Sequence, residues 1–321
     1  MKTQMTRLLN IEYPIMMGGM MGANSAEFAA AASNAGGLGT ICAVLYPDLD
    51  EFRVELRKLK SLTDAPFAVN VSIVPEHRDT GLTEQYFRII TEEGVPVVET
   101  AGRSPEQYMP LLKKSGVTVL HKVVALRHAL TAQRIGVDGV VVMGYETAGH
   151  PGMDNVPLPI LTQKIVPALD IPVIVAGGSV AGRGLAAALA WGAAGIEMGT
   201  RFLAADECPV HPAIRELVLN STELDTVLVQ SSICNPLRVI RNQHAKRVLD
   251  MEEKGASLEE LLPLINGKLY RAYLSKGEVE NGLLAIGQTV GLVNEIKPTR
   301  AIIEESVIQA ENIIRNLSKC L

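Results

Sequence analysis

A histidine and a glutamate stand in a glycine- and proline-rich run, Gly144-Tyr145-Glu146-Thr147-Ala148-Gly149-His150-Pro151-Gly152, directly after the apolar segment Gly139-Val140-Val141-Val142-Met143. An apolar run of that kind reads as a strand of a parallel sheet, buried on both faces. The imidazole can donate, accept or exchange a proton near neutral pH. The glycines let backbone N–H groups come close to a flat ligand. A loop of this make, leaving the C-terminal end of a barrel strand, is where an α/β enzyme carries its chemistry.

Other residues ask for the same setting. Ala176-Gly177-Gly178-Ser179 and Met198-Gly199-Thr200-Arg201 follow two further apolar runs. Either glycine loop alone is a tight turn. Together, after the seventh and eighth strands of a barrel, they make a phosphate site of backbone N–H groups. Met16-Met17-Gly18-Gly19-Met20-Met21-Gly22 is either a turn among core methionines or a backbone platform beside an isoalloxazine ring. Asn70 and Ser72 alternate on one strand and so share a face, as polar groups inside a barrel mouth or as a satisfied buried network. Lys122, in Val119-Leu120-His121-Lys122-Val123, needs a compensating negative charge if buried. A carboxylate such as Glu99 would supply it, as would the N1–C2=O edge of a flavin, where reduction leaves negative charge. The indicated phosphate favours the flavin.

Much else is excluded or assigned to structure. His121, His128 and His244 read as structural histidines, while Glu146 either joins the site or braces its loop. There is no HExxH and no G-x-S-x-G, and Gly182-Arg183-Gly184 lacks the third glycine of a dinucleotide fingerprint. The loop after the sixth strand has no cysteine, which argues against a purine-nucleotide dehydrogenase barrel. Cys42, Cys208, Cys234 and Cys320 are far apart, as in a cytoplasmic protein with reduced thiols and no metal site. A net charge of −5, with scattered basic residues, gives no electrostatic reason to expect nucleic acid or an anionic membrane. The longest apolar stretches, such as Leu185–Ala194, are too short to span a bilayer.

Eight short apolar segments must position these residues: Ile15–Gly18, Leu38–Ala43, Phe67–Ser72, Val97–Thr100, Thr118–Lys122, Gly139–Met143, Val173–Ala176 and Gly195–Gly199. Helical patterns separate them, as in Ser25–Ala32 with a stop at Asn34-Ala35-Gly36-Gly37. Eight strand-then-helix units predict an α/β fold, a (β/α)8 TIM barrel; a doubly wound sheet would usually stop at five or six strands. Residues 206–282 show helical periodicity and no convincing strand, with helices over Arg247–Lys254, Ser257–Ile265 and Lys268–Leu274. They predict a small α-helical cap inserted after strand eight, the barrel being residues 1–205 and 283–321. Thr299–Leu317 would be the closing outer helix.

As an ordered set, Pro14–Met20, the Asn70 strand, Glu146–Gly152, Ala176-Gly177-Gly178 and Met198–Phe202 resemble the nitronate monooxygenase family, also called 2-nitropropane dioxygenase-like. The resemblance runs from about Glu12 to Leu292. It is closest to the bacterial NADH:quinone reductase branch, through Val97–Gly102, His121-Lys122, Arg127-His128-Ala129, Arg201–Ala204, Glu207-Cys208-Pro209 and His211-Pro212. It implies an FMN-dependent enzyme in which Gly18, Gly19, Met20, Ser72, Lys122, Ala148, Gly149 and His150 line the flavin. Gly177, Gly178, Gly199 and Thr200 would hold its phosphate. It also implies a proline-containing lid over the nicotinamide, here Val74-Pro75-Glu76-His77, with His77 where a glutamine is usual. NADH or NADPH would be the co-substrate and a quinone the acceptor, with His150 and Lys122 catalytic. The same scaffold in relatives oxidises nitronates with O2 or reduces enoyl thioesters on acyl-carrier protein. Their loop reads more like Glu-Ala-Gly-Gly-His than Glu146-Thr147-Ala148-Gly149-His150. A flavin-binding protein without turnover is the reading outside enzyme chemistry.

Overall fold

Eight parallel strands form one sheet: β1 (Ile15–Met17), β2 (Gly39–Cys42), β3 (Phe67–Ile73), β4 (Val97–Gly102), β5 (Thr118–Val123), β6 (Gly139–Met143), β7 (Val173–Ala176) and β8 (Gly195–Met198). They were located in a computed structural model that describes residues 1–75, 81–266 and 273–320. Each strand pairs with its sequence neighbour from β2 to β8, β1 pairs with β8, and a parallel bridge between Met16 and Leu38 joins β1 to β2. The sheet is therefore a nearly closed TIM barrel, as its eight strand segments predict. Observed and expected strand ends differ by no more than two residues.

Helices pack outside the strands: α2 (Ala26–Asn34), α3 (Leu49–Leu62), α4 (Leu82–Glu92), α5 (Met109–Lys114), α6 (Leu126–Arg134), α7 (Leu158–Ile165), α8 (Gly182–Ala190) and the C-terminal helix (Thr299–Ser318). Ser25 caps α2 by accepting from the Phe28 N–H, and the chain leaves it through Ala35 and a left-handed Gly36. Between strands and helices lies the main core, filled by Val, Ile, Leu and Ala with Phe28, Phe52, Phe87 and Phe202 fully buried.

The barrel interior is graded. Its N-terminal end is apolar, built from Met16, Leu38, Ala68, Val97, Leu120, Val141 and Ile174. Met5 and Leu9 of α1 (Gln4–Leu9) plug that end. One pleat higher the inward positions become Asn70, Glu99, Lys122 and Glu197, two residues on from Ala68, Val97, Leu120 and Gly195. Charge is thus confined to the end where the βα loops gather.

Residues after β8 depart from expectation in one respect. Short helices are present, namely α9 (Thr200–Leu203), α10 (Pro212–Asn220), α11 (Gln243–Glu253) and α12 (Leu258–Ile265), the last with a Ser257–Glu260 capping box. The segment also holds an antiparallel pair, β9 (Thr226–Val229) and β10 (Leu237–Ile240), where no strand was expected. The strands have four residues each, too few for a period of two to stand out from the helical pattern around them. They are stabilised by packing, since Val229 and Val239 bury against Ala245, Val248, Leu261 and Leu283. The helix expected over Lys268–Leu274 falls mostly outside the described residues.

Candidate active site

Five strands contribute to a polar floor under the barrel mouth. Lys122, on β5, has its side chain 11% exposed and places Nζ 3.2 Å from Glu99 Oε2 and 2.8 Å from Glu197 Oε1. Asn70, on β3, donates to Glu99 Oε2 at 2.6 Å. Gly18 and Gly19, after β1, lie directly on this cluster. A Cβ at Gly18 would stand 2.5 Å from Glu197 Oε1, and one at Gly19 2.6 Å from Asn70 Cγ. A side chain at Gly19 would require Asn70 to shift near its own Cβ, whereas the atom met at Gly18 is the end of the Glu197 side chain. Glu99, the alternative to a flavin edge as partner of Lys122, stands beside it, and Glu197, which sequence reading missed, is a second. Its sequence signal was a carboxylate inside the buried strand Gly195-Ile196-Glu197-Met198.

Burial opposes charge on Lys122, but Glu197 and Glu99 more than offset it and raise its pKa above the usual lysine range. Burial first, and then the Glu197 carboxylate, raise Glu99 well above the ordinary carboxylate range. Glu197 is held below that range because Lys122 and a hydrogen bond with Glu99 overcome the burial that would raise it. Cys42 faces the same cluster from β2, and burial pushes its thiol up to about 12. It is no nucleophile at neutral pH.

His150 belongs to a separate ring of loops. Its Nδ1 lies 2.9 Å from the Pro236 carbonyl, so the neutral imidazole carries its proton on Nδ1 and presents Nε2 as an acceptor. The residue keeps an exposed face at the mouth. The surrounding protein still lowers its pKa, opposed by the Pro236 and Asn235 carbonyls. The preceding Gly149 exchanges backbone hydrogen bonds with Arg238 of β10, at 2.7 and 3.3 Å. Arg238 is 2% exposed, donates twice to the Tyr145 carbonyl at 3.0 and 3.2 Å and once to Thr226, and lies over the Tyr145 ring. The hairpin therefore holds the histidine loop. Neither Arg238 nor Pro236 could be found from sequence once the hairpin itself was missed.

Glu146 braces the loop: both its oxygens accept from the Leu158 N–H that opens α7, at 3.1 and 3.3 Å. Gly177 and Gly178 have φ of +95° and +65° and pack against Thr147 and Glu146. β7 and β8 are neighbours, so their following loops are neighbours too. Among the described residues, a Cβ on Gly199 would touch only Met20, beyond 3.6 Å, and one on Gly149 would meet nothing within 4 Å. Open space thus lies over both glycines. Thr200 is buried and accepts from the Gly287 N–H at 3.1 Å. Arg201 points inward to the Ala204 and Glu295 carbonyls and holds backbone.

Ala148 is half-buried beside Gly149, and Ser72 is exposed one pleat above Asn70. Pro75 follows β3 on the mouth side, while His77 lies outside the described residues. Met21, Val74 and Met153, on the loops after β1, β3 and β6, expose apolar side chains there. A cavity of about 610 Å³ between α8 and the C-terminal helix is bordered by Arg183, Arg201 and Lys297, and by none of the predicted site residues. Of the histidines read as structural, His121 pairs with Thr100 at 2.8 Å and His244 with the Leu264 carbonyl at 2.7 Å; His128 is exposed on α6.

The site suits a flat, anionic cofactor. Its floor has a cation at its centre with Gly18 and Gly19 packed closely over the cluster, and glycine loops lie at the ends of β7 and β8. Charged groups gathered at the C-terminal mouth of a (β/α)8 barrel define an enzyme of the TIM-barrel class. The nitronate monooxygenase family model matches residues 2–309, and the chain belongs to that family of oxidoreductases. It is 31% identical to a probable nitronate monooxygenase of Staphylococcus saprophyticus, over 98% of this chain and 99% of that protein. It is 30% identical to a (3aS,4S,5R,7aS)-5-hydroxy-7a-methyl-1-oxo-octahydro-1H-indene-4-carboxyl-CoA dehydrogenase of Mycobacterium tuberculosis, over 97% and 96%. Among solved structures, FabK from Thermotoga maritima matches with a TM-score of 0.91 and 35% identity, covering all of both chains. No helix among the described residues is long and apolar enough to cross a membrane.

Proposed function

We propose that this protein is an FMN-dependent NAD(P)H:quinone-type reductase. The observation that carries the reading is Lys122, an ammonium held at the centre of the floor beside Gly18 and Gly19. When bound, FMN would supply hydride transfer at N5 between NAD(P)H and a quinone-like acceptor. Gly18, Gly19, Met20, Asn70 and Ser72 would bear one face and edge of the ring. Lys122 would set a positive charge against the edge where negative charge develops. Gly177, Gly178, Gly199 and Thr200 would bind the phosphate through backbone N–H groups. Ala148 and Gly149 would leave the mouth open to substrate. His150, neutral with Nε2 as acceptor, would orient the substrate or exchange a proton with it. Pro75 and His77 would belong to a lid over the nicotinamide, and residues 206–282 would act as a cap that excludes water.

A second reading, an enoyl-thioester reductase, is favoured by the match to FabK over the full length of both chains. A third, oxidation of alkyl nitronates with O2, is favoured by the relatives named probable nitronate monooxygenases. Anaerobic stopped-flow mixing of the FMN-loaded protein separates the classes. Rapid bleaching by NADH or NADPH, followed by reoxidation with a quinone, supports the reductase. Reoxidation by an enoyl thioester alone supports the second reading, and bleaching only by propionate 3-nitronate supports the third.

A further inference from the structure

The mouth's floor has an unbalanced charge count. Among the described residues, Glu99 and Glu197 face one ammonium, Lys122, with Cys42 the other titratable group turned toward them and its thiol held neutral by burial. The adjoining inward positions on β6 and β7, Val141 and Ala176, are apolar. Two ionised carboxylates would leave a net negative charge where Glu99 is wholly buried, a costly state. The hydrogen bonding is also incomplete: among the described residues, Glu99 Oε1 and Glu197 Oε2 are buried without partners. The two carboxyl groups nevertheless converge on one ammonium, Lys122 Nζ standing 3.2 Å from Glu99 Oε2 and 2.8 Å from Glu197 Oε1. Ionised carboxylates only accept, so two carboxyl groups that meet at one ammonium can bond to each other only if one of them carries a proton.

We propose that Glu99 and Glu197 hold one proton between them at neutral pH, Lys122 balancing the remaining charge, so that the floor is a neutral, proton-storing unit. The proton resides mainly on Glu99, the more deeply buried of the two and the one farther from the ammonium. The unit has capacity for one more. Negative charge arriving over Lys122 would be matched by uptake of a second proton from solvent at Glu197, with no bond made or broken elsewhere. That consequence rests on the FMN reading; the shared proton does not.

Infrared difference spectra of the full chain between neutral and alkaline pH test it, with Glu99→Gln and Glu197→Gln alongside. The wild type is expected to show a protonated-carboxyl stretch at neutral pH that disappears on alkalinisation. Both variants should lack it, because the remaining carboxylate then pairs with Lys122 alone and ionises. A band absent from the wild type, or persisting in either variant, overturns the proposal. Should Glu197→Gln fail to fold, Glu99→Gln decides alone, since glutamine reproduces the shape of the protonated acid. FMN uptake, read separately by visible absorbance, can fail while the band remains.

Discussion

His150 and Lys122 carry different risks when changed, because one is held by hydrogen bonds at a loop and the other sits within buried charge. His150→Ala should lower turnover by about 10²-fold or more, the scale of a lost acid–base group, while bound FMN per chain stays constant. Unchanged turnover would make the residue structural. Its lowered pKa has a direction that can be checked. The imidazole stays neutral to a lower pH than an ordinary histidine, so an acid limb due to His150 should lie below the usual histidine range in a pH–rate profile. Lys122→Met would leave two carboxylates without their cation. Urea unfolding should show a loss of about 3–5 kcal/mol, with weaker FMN retention. Glu99 has the opposite pH signature. Its raised pKa contributes stability that is complete below the ordinary carboxylate pKa and is lost as pH rises through the folded value. Thermal melts should therefore fall more steeply toward alkaline pH in the wild type than in Glu99→Gln.

At the scale of elements, the hairpin β9–β10 is what fixes the histidine loop, and Arg238 is its fastening. Arg238→Met should cost about 1.5–3 kcal/mol for the charged donors lost from the Tyr145 carbonyl. Amide exchange over residues 145–150 should quicken, and turnover should fall with FMN still bound; unaltered exchange there would contradict the role. The barrel strands were legible in sequence because Val/Ile-rich runs bounded by glycine recur at a regular interval. The mouth was legible for the same reason, since Gly18, Gly177 and Gly199 each end such a run. Glu197 escaped notice because an acid within a strand has no partner visible in one dimension. Arg238 escaped because its meaning depends on a hairpin only four residues deep per strand, formed by tertiary packing rather than by local pattern.

Across the whole molecule, stability and chemistry are divided between the two ends of the barrel. Met5 and Leu9 close the apolar end, and Met5→Ala should cost about 2–5 kcal/mol with no change in FMN binding. The charged end is shared by five strands, two glycine loops and the hairpin, so a change in any one element reaches the others through the floor or the loop ring. Family membership follows from the whole chain. The most direct test of the central claim is anaerobic stopped-flow absorbance of the FMN-loaded protein with NADH, NADPH and propionate 3-nitronate in parallel. The reductase reading predicts a yellow protein bleached rapidly by a reduced nicotinamide and reoxidised by a quinone. A chain that takes up no FMN, or that bleaches only with the nitronate, would contradict it.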